Sequence, residues 1–399
     1  MAKLSVEDVP VTNRRVFVRV DFNVPLNTEG NIGDDRRIRE ALPTIRRLQD
    51  REAKIIMASH LGRPKGKADS RYSLAPVARH LGRILGQDVP LAPDCVGPQV
   101  EAMVKEIKTK ELLLLENLRF HPQEEANDPD FCRQLAALCD VYINDAFGAA
   151  HRAHASTAGM IPFVSTVACG LLMKKELDYL GRILSKPAHP FRVILGGAKV
   201  SDKIGLINHL LDKVDALLIG GAMAYTFLKV KGIEVGISKV ESDRLEEARE
   251  ILARFEKLAI PILLPLDHVI AQSPSPGTST RIIEGGIPEG YGGFDIGPRS
   301  RSLFAEKLRG ARTIFWNGPV GVFEVPPFHE GTLAVAQAVA SSGAISVVGG
   351  GDSVAAITQL GLDDKITHLS TGGGATLEFL EGRELPGVAS LPEQPVRSG

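Results

Sequence analysis

Short continuous runs of apolar residues recur along the chain, and each ends in a polar or glycine-rich turn. In the first half these runs are RVFVRV (15–20), KIIMAS (54–59), LLLLEN (112–117) and VYIND (141–145). Apolar runs without alternation are typical of strands buried on both faces of a parallel sheet. Between two of them, the spacing of Leu74, Val77, Leu81 and Leu85 predicts a helix, with Ser73 as its N-cap. This alternation of strand and helix predicts βα architecture.

The same rhythm returns in the second half, where the turns are richer in glycine. The runs there are VILGG (193–197), ALLIGG (216–221), ILLPLD (262–267), TIFWNG (313–318), ISVVGGG (345–351) and THLSTGGG (367–374). A second α/β domain is therefore predicted. We expect an α/β protein of two Rossmann-like domains, each with a parallel sheet flanked by helices.

The segment between the two halves has its own helical pattern. Met173, Leu177, Leu180 and Leu184 are spaced as on one helical face, and prolines follow at Pro187 and Pro190. The pattern fits a linking helix and an ordinary surface helix equally well. The predicted boundaries are 1–166 for the first domain, 167–186 for the interdomain helix, 187–384 for the second domain and 385–399 for a C-terminal tail.

Composition narrows the function mainly by exclusion. The 399 residues are 44% hydrophobic and 24% charged, with a formal net charge of −1. This balance gives no general attraction to nucleic acid or to acidic membranes, so any anion site must be built from local clusters. The four cysteines show no C-x-x-C spacing, and the most apolar stretch, 160–173, is short. We expect a cytoplasmic protein with reduced thiols and no membrane segment.

Charged side chains follow the strands of the first half, at the ends where open parallel sheets bind ligands. The residues in these positions are Asp21, Asn23, His60, Arg63, Arg119, His151, Arg152 and His154, with Arg37 nearby in sequence. Guanidinium groups bind carboxylate and phosphate through two parallel hydrogen bonds. A group of arginines predicts a pocket for a small molecule with two or more anionic groups. A metal site at the three histidines is disfavoured, because each histidine lies beside an arginine.

Glycines and lysines follow the strands of the second half. Gly196 and Gly197 lead to Lys199 and Lys203, which lie four residues apart and would share one face of a following helix. Small residues and helix N-termini favour the phosphate chain of a nucleotide. Asp352 follows three glycines, and it fits a ligand for Mg²⁺ and a helix cap about equally well. No Walker sequence and no G-x-G-x-x-G is present.

Eight segments in the same order resemble the signature segments of the phosphoglycerate kinase family. They are RVDFNVP, SHLGRP, ENLRF, GAAHRAHAS, GGAKVSDKI, WNGPVGVFE, GGGDS and STGGGAT. The resemblance spans nearly the whole chain. It implies a first domain for 3-phosphoglycerate or 1,3-bisphosphoglycerate and a second for Mg-ADP or Mg-ATP. It also implies a monomer, hinge closure, in-line transfer, and a chain end that returns to the first domain.

The resemblance also implies a role for each matched residue. Asp21, Asn23, Arg37, His60, Arg63, Arg119 and Arg152 would bind the acid; Lys199, Lys203, Gly293, Asn317, Glu324, Gly350, Gly351, Asp352 and Ser353 would bind the nucleotide. Arg37, Lys199, Lys203, Gly372 and Gly373 would serve catalysis, and Asp352 would hold Mg²⁺. The alternatives are a hydride-transfer enzyme, which would bind NAD, and a non-catalytic scaffold.

Overall fold

The computed structural model describes residues 3–394, and contacts within the chain divide it into two compact units. Unit 1 comprises residues 3–178 together with residues 384–394, and unit 2 comprises Tyr179–Arg383. Each unit has its own parallel sheet with helices packed on it. This confirms the α/β fold class predicted from the recurring apolar runs.

Unit 1 is built on a five-stranded parallel sheet. Its strands are β1 (Arg15–Arg19), β2 (Lys54–Ala58), β3 (Leu112–Leu114), β4 (Val141–Asn144) and β5 (Thr166–Cys169), in the order β3-β2-β1-β4-β5. Its helices are α1 (Arg36–Asp50), α2 (Ala75–Leu85), α3 (Pro98–Glu106), α4 (Pro122–Ala126) and α5 (Pro129–Ala137), while α6 (Leu171–Ser185) begins in unit 1 and ends in unit 2.

β1 is the central strand of the unit 1 sheet, paired with β2 on one edge and with β4 on the other, and most of its side chains are buried. Val16 and Val18 of β1 are fully buried in one cluster with Ile38 and Ile45 of α1. Burying an aliphatic side chain of this size stabilises the fold by about 1.5–3 kcal/mol. The packing fixes the carboxyl end of β1, from which the chain continues into residues 20–23.

Unit 2 is built on a six-stranded parallel sheet and a smaller antiparallel sheet. The parallel strands are β6 (Phe191–Leu195), β7 (Ala216–Ile219), β8 (Ile262–Leu263), β12 (Thr313–Asn317), β13 (Ile345–Gly349) and β14 (His368–Leu369), in the order β14-β13-β12-β6-β7-β8. The antiparallel strands are β9 (Asp267–Ala271), β10 (Arg281–Glu284) and β11 (Gly292–Ile296), in the order β10-β9-β11.

Seven helices of unit 2 follow α6 among the described residues. They are α7 (Ile204–Leu210), α8 (Met223–Val230), α9 (Leu245–Lys257), α10 (Pro298–Leu308), α11 (Glu330–Ser341), α12 (Gly351–Gln359) and α13 (Gly374–Leu380). The last helix, α14 (Pro386–Ala389), belongs to unit 1. Within residues 3–394, no helix has both the length and the apolar character that crossing a bilayer requires.

Two local predictions differ from the structure. Residues 166–169 form β5, and the helix predicted from residue 167 begins at Leu171 because Gly170 separates it from the strand. The N-cap of α2 is Leu74 and not Ser73, although the Ser73 hydroxyl still accepts a hydrogen bond from the Ala75 N–H at 3.2 Å. The antiparallel sheet was not predicted.

Residues 384–394 pack against unit 1. The Gly387 N–H donates to the Ala150 carbonyl at 2.8 Å, and the Asn144 amide donates to the Gly387 carbonyl at 3.3 Å. Near the other end of the chain, the Leu4 N–H donates to the Pro392 carbonyl at 3.0 Å. The predicted tail beyond residue 394 lies outside the described residues.

Candidate functional site

Asp21, just beyond the carboxyl end of β1, forms an ion pair with Arg37 of α1. Arg37 Nη1 lies 2.8 Å from Asp21 Oδ2, and Asp21 is buried. Burial alone would raise the pKa of Asp21, but the guanidinium groups of Arg37 and Arg19 hold this pKa below its ordinary value. Arg37 lies in the first turn of α1, which carries it to the sheet edge. The pair therefore leaves Asp21 ionised and Arg37 held in place.

His60 lies next to this pair and is neutral. It is only 6% exposed, and Arg19 Nη2 lies 3.2 Å from its Nδ1. Burial lowers the pKa of His60 well below its usual range; Asp21 opposes the shift, while Arg19, Arg119 and Arg37 add to it. His60 can therefore contribute a hydrogen bond but no charge.

The loop after β2 is tied to two other predicted residues. Asn23 Oδ1 accepts a hydrogen bond from the Gly62 N–H at 2.9 Å, and Arg119 Nη1 donates to the Gly62 carbonyl at 2.9 Å. The buried side chain of Asn117 makes two hydrogen bonds to the backbone of Leu61. Its Oδ1 accepts from the Leu61 N–H, and its Nδ2 donates to the Leu61 carbonyl. Sequence reasoning missed Asn117, although it lies two residues after the apolar run in LLLLEN.

Arg119 and Arg152 lie in one cationic neighbourhood. Burial, followed by the charges of Arg119, Arg19 and Arg152, lowers the pKa of His154 to about 4. Arg152 is exposed, and its Nε donates to His151 Nε2 at 3.1 Å. Arg63 is also exposed. The arginines predicted for unit 1 thus divide into a held group and an exposed pair, Arg63 and Arg152, able to reach a ligand.

In unit 2, the segment after β6 carries both lysines ahead of the helix. α7 begins at Ile204, with Lys203 as its N-cap residue. The prediction that Lys199 and Lys203 share a helical face is therefore wrong, because residues 198–200 are irregular and residues 201–203 form a turn before the helix. Lys203 is buried and donates a hydrogen bond to Asn317 Oδ1 at the end of β12. Burial lowers the pKa of Lys203 to about 8, against opposing effects of Asp202 and Glu381.

Glu241 holds the lysine-bearing segment from outside it. Its carboxylate accepts hydrogen bonds from the N–H groups of Val200 and Ser201 and from the Ser201 hydroxyl, the last at 2.7 Å. Burial would raise the pKa of this carboxyl, but these hydrogen bonds and, to a lesser extent, the charge of Lys199 hold it below its ordinary value. No sequence motif indicated Glu241, since it lies about forty residues from the segment it supports.

The glycines of unit 2 serve two purposes. A Cβ on Gly196 would lie 2.6 Å from the Gly318 carbonyl oxygen, and one on Gly221 would lie 2.6 Å from the Gly197 nitrogen. These glycines allow neighbouring strand ends to pack backbone against backbone. In contrast, a Cβ added to Gly351, Gly373 or Gly374 would meet no atom within 4 Å. The open glycines, at the starts of α12 and α13, can admit a ligand.

Asp352 does not cap its helix. Gly350 is the N-cap residue of α12, with φ of +92°, and Asp352 lies exposed in the first turn. The capping interpretation is therefore wrong. Ser353 is buried, and its hydroxyl accepts a hydrogen bond from the Gly318 N–H at 2.8 Å, which ties α12 to the end of β12.

Gly293 and Glu324 lie on adjoining segments of unit 2. The Val322 N–H donates to the Phe294 carbonyl at 2.8 Å, which brings the segment of Glu324 beside β11. Glu324 is exposed, and the Tyr225 hydroxyl occupies the place of a side chain on Gly293. Within residues 3–394, neither residue hydrogen-bonds to Lys203 or Asn317.

One group of side chains has the spacing of metal ligands in the described part of the chain. It consists of Asp94, Cys95 and His121, whose ligand atoms lie within 4.8 Å of one another. It contains neither Asp352 nor His60, His151 or His154. These histidines lie among Arg19, Arg37, Arg119 and Arg152, which together form the cationic cluster of unit 1. Any metal at Asp352 would therefore need most of its ligands from elsewhere.

Each unit has a parallel sheet flanked by helices, with arginines near the strand ends of unit 1 and lysines and open glycines near those of unit 2. Such residues suit a phosphotransferase of the α/β class. A family model described as phosphoglycerate kinase matches residues 6–383. The chain belongs to the phosphoglycerate kinase family. It catalyses reversible phosphoryl transfer between 1,3-bisphosphoglycerate and ADP, giving 3-phosphoglycerate and ATP, a step of glycolysis.

Curated relatives and solved structures agree with this family. The chain is 55% identical over 397 residues to phosphoglycerate kinase of Anaeromyxobacter dehalogenans (strain 2CP-C), covering 98% of this chain and 100% of that one. It is 56% identical over 400 residues to phosphoglycerate kinase of Koribacter versatilis, covering 98% and 99%. The structure of phosphoglycerate kinase from Coxiella burnetii matches with a TM-score of 0.87 at 40% identity, covering 97% and 98%.

Proposed function

We propose that unit 1 binds the three-carbon acid and that unit 2 binds ADP or ATP together with Mg²⁺. The acid would be held by Asp21, Asn23, Arg37, His60, Arg63, Arg119 and Arg152; the nucleotide would be held by Lys199, Lys203, Gly293, Asn317, Glu324, Gly350, Gly351, Asp352 and Ser353. The observation that carries the proposal is the cationic cluster of unit 1, in which burial, with a further contribution from the arginine charges, lowers the pKa values of His60 and His154 and keeps both neutral. Such a cluster suits a ligand with a phosphate and a carboxylate.

Phosphoryl transfer requires the reacting oxygens to be aligned and the charge on the three equatorial oxygens to be compensated. Arg37 and the lysines Lys199 and Lys203 would supply positive charge, and the backbone N–H groups of Gly372 and Gly373 would supply hydrogen-bond donors. In the free protein the Gly372 N–H donates to the Ser370 hydroxyl at 3.2 Å, so a ligand would replace that bond. The carboxylate of 3-phosphoglycerate is already ionised near pH 7, so no general base is needed. This accounts for a set of catalytic groups that are all donors.

Mg²⁺ fits the donor set at Asp352. This ion prefers oxygen ligands, retains several waters, and is commonly held by one or two carboxylates together with substrate phosphates. Asp352 offers one exposed carboxylate beside Gly351, where the backbone leaves open space. The ion would neutralise phosphate charge, and Asp352 would orient it. The proposal also includes a cytoplasmic monomer. It includes no nucleic-acid partner, because a net charge of −1 gives no general attraction to nucleic acid.

Arg37→Ala tests the acid-binding cluster. We expect kcat to fall by about 10²–10³-fold, the usual loss for one transition-state donor, with a smaller rise in the KM for 3-phosphoglycerate. Steady-state assays with each substrate varied would measure both constants. Arg39→Ala is the matched control, since Arg39 lies on the same helix and pairs with Asp35 on the surface. A near-normal kcat in Arg37→Ala would remove Arg37 from the catalytic set.

Asp352→Asn tests the magnesium site. We expect the Mg²⁺ concentration for half-maximal rate to rise by about tenfold or more, because a neutral amide binds the hard cation more weakly than a carboxylate. Asp364→Asn is the control, since Asp364 is an exposed acid of the same unit. An unchanged Mg²⁺ titration curve in Asp352→Asn would contradict the assignment.

A further inference from the structure

A buried charged network lies beneath the cationic cluster of unit 1, and the roles proposed above do not use it. Arg19, at the end of β1, is 1% exposed, and Glu124 of α4 is fully buried. Burying such groups is costly unless their hydrogen bonds are satisfied. The network connects to His60, so its geometry sets what that histidine presents to a ligand.

Arg19 fixes the protonation pattern of the His60 ring. Its Nη2 lies 3.2 Å from His60 Nδ1. A guanidinium group has N–H donors and no acceptor, so Nδ1 must accept through its lone pair. The single proton of the neutral ring is then on Nε2. We propose that Arg19 is a positioning residue that holds His60 as the Nε2–H tautomer, so that His60 donates a hydrogen bond to an oxygen of the bound acid.

Arg19 itself is held in place by two hydrogen bonds besides its contact with His60. Its Nε donates to the Ser156 hydroxyl at 2.7 Å, and its Nη1 donates to the Val20 carbonyl. Ser156 in turn donates to Glu124 from its hydroxyl at 2.5 Å and from its N–H at 3.0 Å. The Glu124 carboxyl is thus joined to Arg19 through one hydroxyl. With its donors engaged in this way, the guanidinium cannot turn away from the histidine without losing several buried hydrogen bonds.

The other ring nitrogen is available to a ligand. His60 Nε2 has no hydrogen-bond partner among residues 3–394, while the ring is flanked by Asp21, Arg37 and Arg119. A proton on Nδ1 would point at the Arg19 donors, so the geometry disfavours both the imidazolium and the other tautomer. A neutral donor can bind an anionic oxygen without adding to the charge of the cluster. The identity of that oxygen rests on the proposed function, whereas the tautomer does not.

Nitrogen-15 NMR of histidine-labelled wild-type protein tests the tautomer directly. The spectrum of the free protein at pH 7 is expected to show a protonated Nε2 and an unprotonated Nδ1 for His60, assigned by loss of the signals in His60→Gln. A protonated Nδ1, or an imidazolium at pH 7, would overturn the proposal. This measurement needs no substitution at Arg19. In Arg19→Gln, a mixture of tautomers is expected; Arg15→Gln, on the same strand but at a surface ion pair with Asp140, is expected to keep the wild-type pattern.

Kinetics of two His60 variants test the use of the Nε2 donor. The glutamine amide nitrogen can take the place of Nε2–H, and the asparagine amide is too short to do so. We expect the KM for 3-phosphoglycerate to rise at least tenfold more in His60→Asn than in His60→Gln, with the KM for ATP unchanged. Equal effects of the two variants would overturn the donor role. If neither variant changes the KM for the acid, His60 is not part of the acid site, and the NMR result then decides the tautomer alone.

Discussion

Lys203 shows at the scale of one residue how a functional group is kept at a cost to stability. Its ammonium group is buried with one hydrogen bond, to Asn317, and burial lowers its pKa from 10.5 to about 8. Below pH 8 Lys203 is therefore charged in the folded chain, where its charge is less favourable than in the unfolded chain. The cost is about 3 kcal/mol, since one pKa unit corresponds to about 1.4 kcal/mol. A phosphate ligand would offset this cost.

Lys203→Met is expected to stabilise the protein and inactivate it. At pH 7 the free energy of unfolding should rise by about 1–2 kcal/mol, because the gain from removing the buried charge exceeds the lost bond to Asn317. The pKa of Lys203 is lower in the folded chain than in the unfolded chain, so the wild type gains stability as the pH rises from 8 towards 10.5. The difference in unfolding free energy between the variant and the wild type should therefore shrink over this range.

Urea titrations followed by the fluorescence of Trp316, the single tryptophan, would measure this difference at pH 7 and pH 10. In the same variant kcat should fall by about 10²–10³-fold. Lys231→Met, at an exposed lysine of unit 2, should change neither quantity. A destabilised Lys203→Met at pH 7 would contradict the argument.

At the scale of elements, the parallel strands could be predicted because their burial on both faces produces continuous apolar runs. The antiparallel sheet could not, because β10 is largely exposed and its sequence, RIIE, makes no such run. β5 lies inside an apolar stretch in which strand and helix patterns are indistinguishable. The sequence predicts too early a start for α7, because the second half of the segment GGAKVSDKI contains no residue that is incompatible with a helix.

In the candidate site, too, some residues could be predicted from the sequence and others could not. A residue just beyond a strand end, such as Asp21, could be predicted from the strand pattern because the sheet brings strand ends to one edge, whereas Asn317, the last residue of β12, was indicated only by the family resemblance. The side chains that support them could not. Glu241, Arg19 and Glu124 act through contacts between distant parts of the chain, and neither periodicity nor spacing records such contacts.

Glu241→Gln is expected to loosen the segment between β6 and α7. The carboxylate accepts three hydrogen bonds from Val200 and Ser201, and a neutral amide has only one acceptor oxygen. Losing charge-assisted bonds of this kind costs about 1.5–3 kcal/mol each, so the KM for ADP should rise by at least tenfold.

Hydrogen exchange of the amides at residues 200–203 should also become faster in Glu241→Gln. Glu246→Gln is the matched control, because Glu246 forms a surface ion pair with Arg249. Unchanged exchange together with an unchanged KM would show that the segment is held without Glu241. The pKa of Glu241 lies below its ordinary value despite burial, so its contribution is present above about pH 4.5 and is lost as the pH falls further.

At the scale of the whole molecule, the chain completes unit 1 only at its C-terminal end. After unit 2 it returns as α14, where Gly387 packs on Ala150, and then runs beside the N-terminal segment, where the Lys3 ammonium donates to the Leu391 carbonyl at 2.8 Å. Contacts between positions nearly four hundred residues apart form late on the basis of loop-closure entropy. Unit 1 therefore depends on residues synthesised after all of unit 2.

Gly387→Val is expected to destabilise unit 1 selectively. A Cβ at this position would lie 2.9 Å from the Ala150 Cα, and backbone cannot move aside as a side-chain tip can. Overpacking of this kind costs about 1–3 kcal/mol. Trp316 lies in unit 2, so its fluorescence reports unit 2, whereas far-ultraviolet circular dichroism reports both units.

The urea midpoint of the dichroism transition should therefore fall more than that of the fluorescence transition. Gly33→Val is the control in unit 1, because the nearest atom to its Cβ would be the Pro25 oxygen at 3.7 Å. Equal shifts of both transitions in Gly387→Val would mean that the C-terminal segment stabilises the molecule as one cooperative unit. An unchanged dichroism midpoint would mean that the segment adds nothing to unit 1, despite its buried contacts with Asn144 and Ala150.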